Sequence, residues 1–132
     1  MMLDLPPLDC AILEPVFEVA NVAREAELGT EIYFVRPENE FSILSECALP
    51  DTIDWIVGVQ DGDVVTQRTT RTLIFELESL EEPSGERVEF YVWTQNWAPS
   101  EYAYWLTKWH VNFERSDEGW SVGEAEIVFR LD

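Results

Sequence analysis

The chain has 132 residues, 27 of them acidic and 8 basic, for a net charge of −19. Its seven Arg and one Lys are scattered, which excludes a phosphate-tracking basic stripe, and one His with two Cys is too few for a Cys/His zinc centre. With 46% hydrophobic and 13% aromatic residues, the chain is not a disordered acidic tail.

The length predicts a single domain over 1–132. A chain of this mass buries about two-thirds of its extended surface, enough for one core. Met1 to Pro7 has no positive leader and no long apolar run, so it does not read as a signal peptide. No stretch reaches the length of a membrane span. The expected compartment is the cytoplasm, where Cys10 and Cys47 would be reduced, buried, small hydrophobes. A disulfide between them would require export by another route.

Glu14 to Leu28 reads as a helix, with Phe17, Ala20, Ala23 and Leu28 at helical spacing, Pro15 in the first turn and Gly29 just past the end. Val16 to Val22 also fits period two. Thr30 to Arg36 alternates as a strand that Pro37 ends. Phe41 to Pro50 is an irregular connection. Ile53 to Val59 places Ile53, Trp55, Val57 and Val59 on one strand face. Gln60 to Asp63 signals a hairpin turn. Val64 to Leu80 contains a long strand, with Leu73, Phe75 and Leu77 inward and Thr72, Glu76 and Glu78 outward. Glu81 to Gly85 is a turn by composition.

Arg87 to Trp97 is bulky on both faces. Val88, Phe90 and Val92 share one; Glu89, Tyr91 and Trp93 share the other. That pattern predicts a strand covered on each side. Asn96 to Ser100 is a loop at Pro99. Tyr102 to Arg115 holds period two for a dozen residues and predicts a long strand; a helix after Ser100 is the rival for its first half. Ser116 to Gly119 is a turn. Trp120 to Leu131 closes the chain, with Ala125, Ile127, Phe129 and Leu131 on one face and Glu124, Glu126 and Arg130 on the other. The sum is an α+β fold: one N-terminal helix on a curled antiparallel sheet of about six strands. An all-β sandwich or barrel is the alternative if the helix is really a strand.

Catalytic patterns are thin. His110 stands on the strand face opposite Trp105 and Trp109 and is most simply an ordinary strand residue. No G-x-S-x-G and no phosphate-cradling Gly loop occurs. Asp61-Gly62-Asp63 begins like a calcium loop, but Val65 and Thr72 stand where further ligands are required. No metal and no cofactor is expected, and no catalytic residue is assigned.

Carboxylates recur at i and i+2 in Glu25/Glu27, Glu38/Glu40, Asp61/Asp63, Glu76/Glu78 and Glu124/Glu126. On a strand this puts both on one face about 6.6–6.8 Å apart. That spacing fits an acid pair for glycoside hydrolysis only loosely, because nothing signals a raised pKa in a dry cleft. It fits first a solvated sheet face guarding an edge; the functional alternative is a rigid ladder of charge. Tyr91, Trp93, Trp97, Tyr102 and Tyr104 cluster around one loop, as packing, as a sugar platform or as interface anchors.

The acid excess has three explanations: a halophilic cytoplasm, solubility, or a basic partner. Nineteen Glu against eight Asp and the heavy aromatic content speak against the first. The reading that joins charge to aromatics is a non-enzymatic acidic interaction protein that binds a basic protein, as an inhibitor or a nucleic-acid mimic acting on a nucleic-acid-binding protein. It would bind neither nucleic acid nor membrane directly. Its expected contact residues are Glu76, Glu78, Glu124, Glu126, Trp93, Trp97, Tyr102 and Tyr104. The alternative is a ligand-binding or enzymatic domain, with a pocket between helix and sheet lined by Tyr33, Phe90, Trp105 and Trp109.

Overall fold

A computed structural model describes residues 9–37, 44–57, 67–79 and 87–131. The chain enters through a 3-10 turn, Cys10–Ile12, capped by the Asp9 carboxylate accepting from the Ala11 N–H at 3.1 Å. The turn runs into α1 (Leu13–Val19), where Pro15 sits in the first turn and its missing N–H costs nothing. Helix α2 (Val22–Glu27) follows.

The expected single helix is therefore two. Asn21 adopts the left-handed conformation, φ 62°, which Asn tolerates better than most residues. The break re-phases the buried stripe. Ile12, Leu13, Val16 and Ala20 face the sheet before it, and Val22 and Glu25 after it. Ala23 and Leu28, expected inward, are exposed. The far end behaves as predicted: Gly29 takes φ 76°, its N–H reaches the Ala26 carbonyl, and the Thr30 N–H reaches the Glu25 carbonyl. That bonding closes the helix C-terminus with a Schellman motif.

Buried Glu25 is held by three bonds. Thr30 Oγ1 donates to it at 2.9 Å, and Arg71 donates from Nε at 3.1 Å and from a terminal nitrogen at 3.3 Å. The Glu25/Glu27 pair shares no face, because on a helix the two side chains diverge and Glu27 is exposed.

Six strands form one open sheet: β1 (Glu31–Val35), β2 (Ile53–Ile56), β3 (Thr72–Ser79), β4 (Arg87–Ala98), β5 (Ala103–Ser116) and β6 (Gly119–Leu131). Their order is β2-β1-β3-β4-β5-β6. Strands β3 to β6 are an antiparallel meander, but β1 runs parallel to both β2 and β3. The sheet is thus mixed rather than wholly antiparallel, and it is neither closed into a barrel nor doubled into a sandwich. The α+β class stands. Gln60 to Asp63, the expected hairpin turn, lie outside the described residues; β2 and β3 themselves do not pair, because β1 lies between them and runs parallel to both. Val57, expected on the strand face of Ile53 and Trp55, lies past the end of β2 and is exposed.

The helices cover one face. Phe34, Leu73, Phe75, Phe90, Val92, Val111 and Phe113 are buried there against Ile12, Leu13 and Val16. Trp120 seals the end, its indole N–H donating to Asp9 at 3.2 Å. Cys10 and Cys47 are disulfide-bonded, with Cα atoms 5.7 Å apart. This overturns the expectation of two buried thiols; only Cys47 is buried, and Cys10 is exposed. Among the described residues no helix is long and apolar enough to cross a membrane.

Strand β6 departs from simple alternation at two bulges. Ile127 opposes Trp109, while Phe129 opposes Lys108, so Val128 is the extra residue. One extra residue reverses the parity beyond it. Ala125 and Ile127 keep their expected face, but Phe129 and Leu131 join Glu124 and Glu126 on the other side. The strand is also the outer edge, and Ile127, Val128, Phe129 and Leu131 are 44% to 51% exposed.

Candidate functional site

The sheet face away from the helices carries no helix or strand among the described residues. Its side chains follow from the register in cross-strand rows. One row is Glu78, Tyr91, His110 and Glu126; the next is Glu76, Trp93, Lys108 and Phe129. Then come Ile74, Gln95, Leu106 and Leu131, and finally Thr72, Trp97 and Tyr104. Glu124 lies opposite Asn112, itself opposite Glu89, at the far margin.

Of the eight expected contact residues, the structure brings Glu76, Glu78, Glu124, Glu126, Trp93, Trp97 and Tyr104 onto this one face. Tyr102 is off the strands, left-handed at φ 48° and highly exposed at the end of a 3-10 turn, Pro99–Glu101, with its ring edge against Trp97. The acid pairs on β3 and β6 are not contiguous. Two strands separate them, so they stand roughly 14 Å apart at the usual spacing between neighbours.

The space between the pairs is aromatic and holds the only lysine. Lys108 Nζ sits 3.9 Å from the Tyr91 ring centre and 4.9 Å from that of Trp93, and pairs with Glu78 at 3.2 Å. His110 Nε2 lies 3.5 Å from Glu89 beside the Tyr91 ring. At the other end Trp97 is buried with Val35 and Ile74, and its indole N–H donates to the Arg68 carbonyl at 2.9 Å. The Arg68 guanidinium lies over Tyr33, 4.8 Å from its centre. Trp97 is therefore a buried support for the face, and Trp93 and Tyr104 are half-buried members of it.

A shallow cleft of about 450 Å³ opens over the Gln95 and Leu106 row, bordered by Glu76, Glu78, Trp93 and Tyr104. The Tyr104 hydroxyl donates to Gln95 Oε1 at 3.3 Å. Burial pushes the Glu76 carboxyl above its ordinary value of 4.5, and the neighbouring Glu78 pushes it the same way. Burial also raises the Tyr104 phenol. Because folded Glu76 holds its proton more tightly than the unfolded chain does, its contribution disfavours the fold as pH rises through and above that raised value. Replacing Glu76 with Gln is therefore expected to raise the urea midpoint at neutral pH, with the gain vanishing below pH 4.5. An equal gain at both pH values would show that the cause is packing, not charge.

The alternative pocket is redrawn. Tyr33 lies on the open face and Phe90 is wholly buried in the core, so neither lines it. Trp105 and Trp109 do border a cleft of about 250 Å³ between the α1–α2 junction and the sheet, with Asn21, Thr94, Thr107 and Glu25. Its one carboxylate, Glu25, is already engaged by Arg71 and Thr30. His110 points the opposite way.

Among the described residues no group of His, Cys, Asp and Glu could hold a metal ion. Glu38, Glu40, Asp61 and Asp63 lie outside the described residues. Members of the open face not singled out from sequence include Gln95, Leu106, Lys108 and Phe129. The first three share strand parity with Trp93, Trp97 and Tyr104 and were legible on that ground; Phe129 was hidden by the bulge. Compared with family models, curated proteins and solved structures, the chain matches none.

Proposed function

We propose that this protein is a non-catalytic binding module whose open sheet face receives a basic protein. The observation that supports this reading most is the shared face of Glu76, Glu78, Glu124, Glu126, Trp93 and Tyr104, with half-buried aromatic rings between two acid pairs. Opposite potentials would speed encounter and fix register, and the rings would supply contact energy. The chain already uses this chemistry internally, since Lys108 is held by Tyr91, Trp93 and Glu78 together. An inhibitor works this way by covering the basic site of its target. Imitation of nucleic acid is less favoured, because Lys108 and the rings interrupt the carboxylates where phosphates would run continuously. The Cys10–Cys47 bond favours a meeting place more oxidising than the cytoplasm.

Matched charge reversals test the reading. Glu76, Glu78, Glu124 and Glu126 changed to Lys should abolish capture of the natural partner from host lysate. Changing the exposed Glu14, Glu18, Glu27 and Glu46 to Lys alters net charge equally and should leave capture intact. Circular dichroism checks folding in both. Equal loss from both sets would mean that total charge, not this face, governs association.

A further inference from the structure

We infer that the cleft over Gln95 and Leu106 is a guanidinium pocket, the place where the open face takes one arginine side chain of its partner. This rests on the binding-module reading and deepens it.

The electrostatics of the cleft are unbalanced in a specific way. Lys108 stands in the same row as Glu76 but one strand beyond Trp93, and is committed to Glu78. Glu76, in the same row as Trp93, is half-buried and has no basic partner among the described residues. A carboxylate partly removed from water without a counter-charge is costly. A cation entering the cleft would offset that cost, as Lys108 does for Glu78 next door.

The lining selects the kind of cation. Trp93 and Tyr104 stand at the two ends of the cleft, separated by the Gln95–Leu106 row. A flat ion can lie against either ring. The acceptors differ in direction: the Glu76 carboxylate on the β3 side, Gln95 Oε1 on the floor, and the Tyr104 hydroxyl at one end. A guanidinium offers five donors in a fixed plane and stacks on aromatic faces. A lysine ammonium is a compact, strongly hydrated point charge. The volume, about 450 Å³ and open to solvent, admits the head and stem of one long side chain and falls at the small end of what drug-sized ligands occupy. Glu78, which also borders the cleft, adds to the negative potential that would draw the cation in.

The test titrates N-acetyl-arginine amide into the full-length protein and follows the six tryptophan indole N–H signals by NMR. The Trp93 indole should shift saturably, while Trp105 and Trp109, on the helix face, stay still. Glu76→Gln should weaken binding about tenfold, the usual consequence of losing one charge-assisted hydrogen bond. Trp93→Leu should weaken it similarly, and Glu14→Gln, exposed on helix α1, should not. N-acetyl-lysine amide should bind distinctly more weakly. Equal binding of both amides, or shifts matched by sodium chloride at the same ionic strength, would overturn the pocket and leave simple charge attraction. Partner capture that survives Glu76→Gln and Trp93→Leu but not the fourfold reversal would also overturn the pocket while sparing the binding face. Arginine-amide binding with capture insensitive to the fourfold reversal would support the pocket and remove the partner-docking role.

Discussion

Truncating Phe75 to Ala is expected to cost about 3–5 kcal/mol, the range for removing a fully buried phenyl ring. Phe75 lies on β3, near the middle of the sheet, and is wholly buried. Its ring stacks on Phe34 at 4.6 Å with the planes 11° apart, and the edge of Phe17 meets it at 5.9 Å. Phe34 stacks in turn on Trp55 at 5.1 Å. The ring thus joins helix α1 to β1, β2 and β3 in one continuous stack. Its neighbours cannot collapse into the hole, because each is an aromatic fixed by a second aromatic or by the backbone of a central strand. Urea unfolding should show a much lower midpoint at an unchanged slope. A loss under about 1 kcal/mol would mean that this stack is not the centre of the core.

Opening the Cys10–Cys47 bond is the second large effect. The bond closes a loop with a sequence separation of 37 residues. Chain-entropy reasoning assigns such a loop about 3–4 kcal/mol. The bond also ties the 3-10 turn before α1 to the segment carrying Leu44, which is fully buried. Without the bond, the start of the helical layer is held by the packing of Ile12 and Leu13 and by the Asp9 contacts with Trp120 and Arg115. Comparing the oxidised protein with the reduced protein, and with a Cys10→Ser, Cys47→Ser variant, should give the same drop in stability. A drop with reductant that the double variant does not share would point to an effect of the reductant itself.

The parts of this fold that sequence reveals are those where one residue decides its neighbour's direction. In strands β4 and β5 alternation persists for twelve residues or more, so Phe90 and Val111 separate from Tyr91 and His110 without any partner being known; only the end of β4 differs, since Asn96 to Ala98, expected in a loop, continue the strand by pairing with β5. The same alternation put Glu76 and Glu78 outward. Three features escaped because they depend on distant pairing. Asn21 breaks the helix so that Glu25 can reach Arg71, 46 residues away, and no local pattern records that. The parallel course of β1 between β2 and β3 is invisible because Ile32, Ile53 and Leu73 fit either strand direction. Val128 shifts parity only because β5 offers one residue too few to match it. The site was legible to the same extent: the β3, β4 and β5 members followed from period two, while the gap between acid pairs required the strand order.

Strand β6 is an outermost strand of thirteen residues whose last five, Ile127 to Leu131, are apolar except for Arg130. Its outward backbone amides and carbonyls are a ready template for the same strand of another molecule. At neutral pH the charge of −19 keeps such molecules apart. The isoelectric point is near 4.1, so acidification strips away the repulsion while leaving the template in place. Resistance to association in this protein is therefore expected to be electrostatic rather than steric, and storage near pH 4 would favour fibrils growing from strand β6.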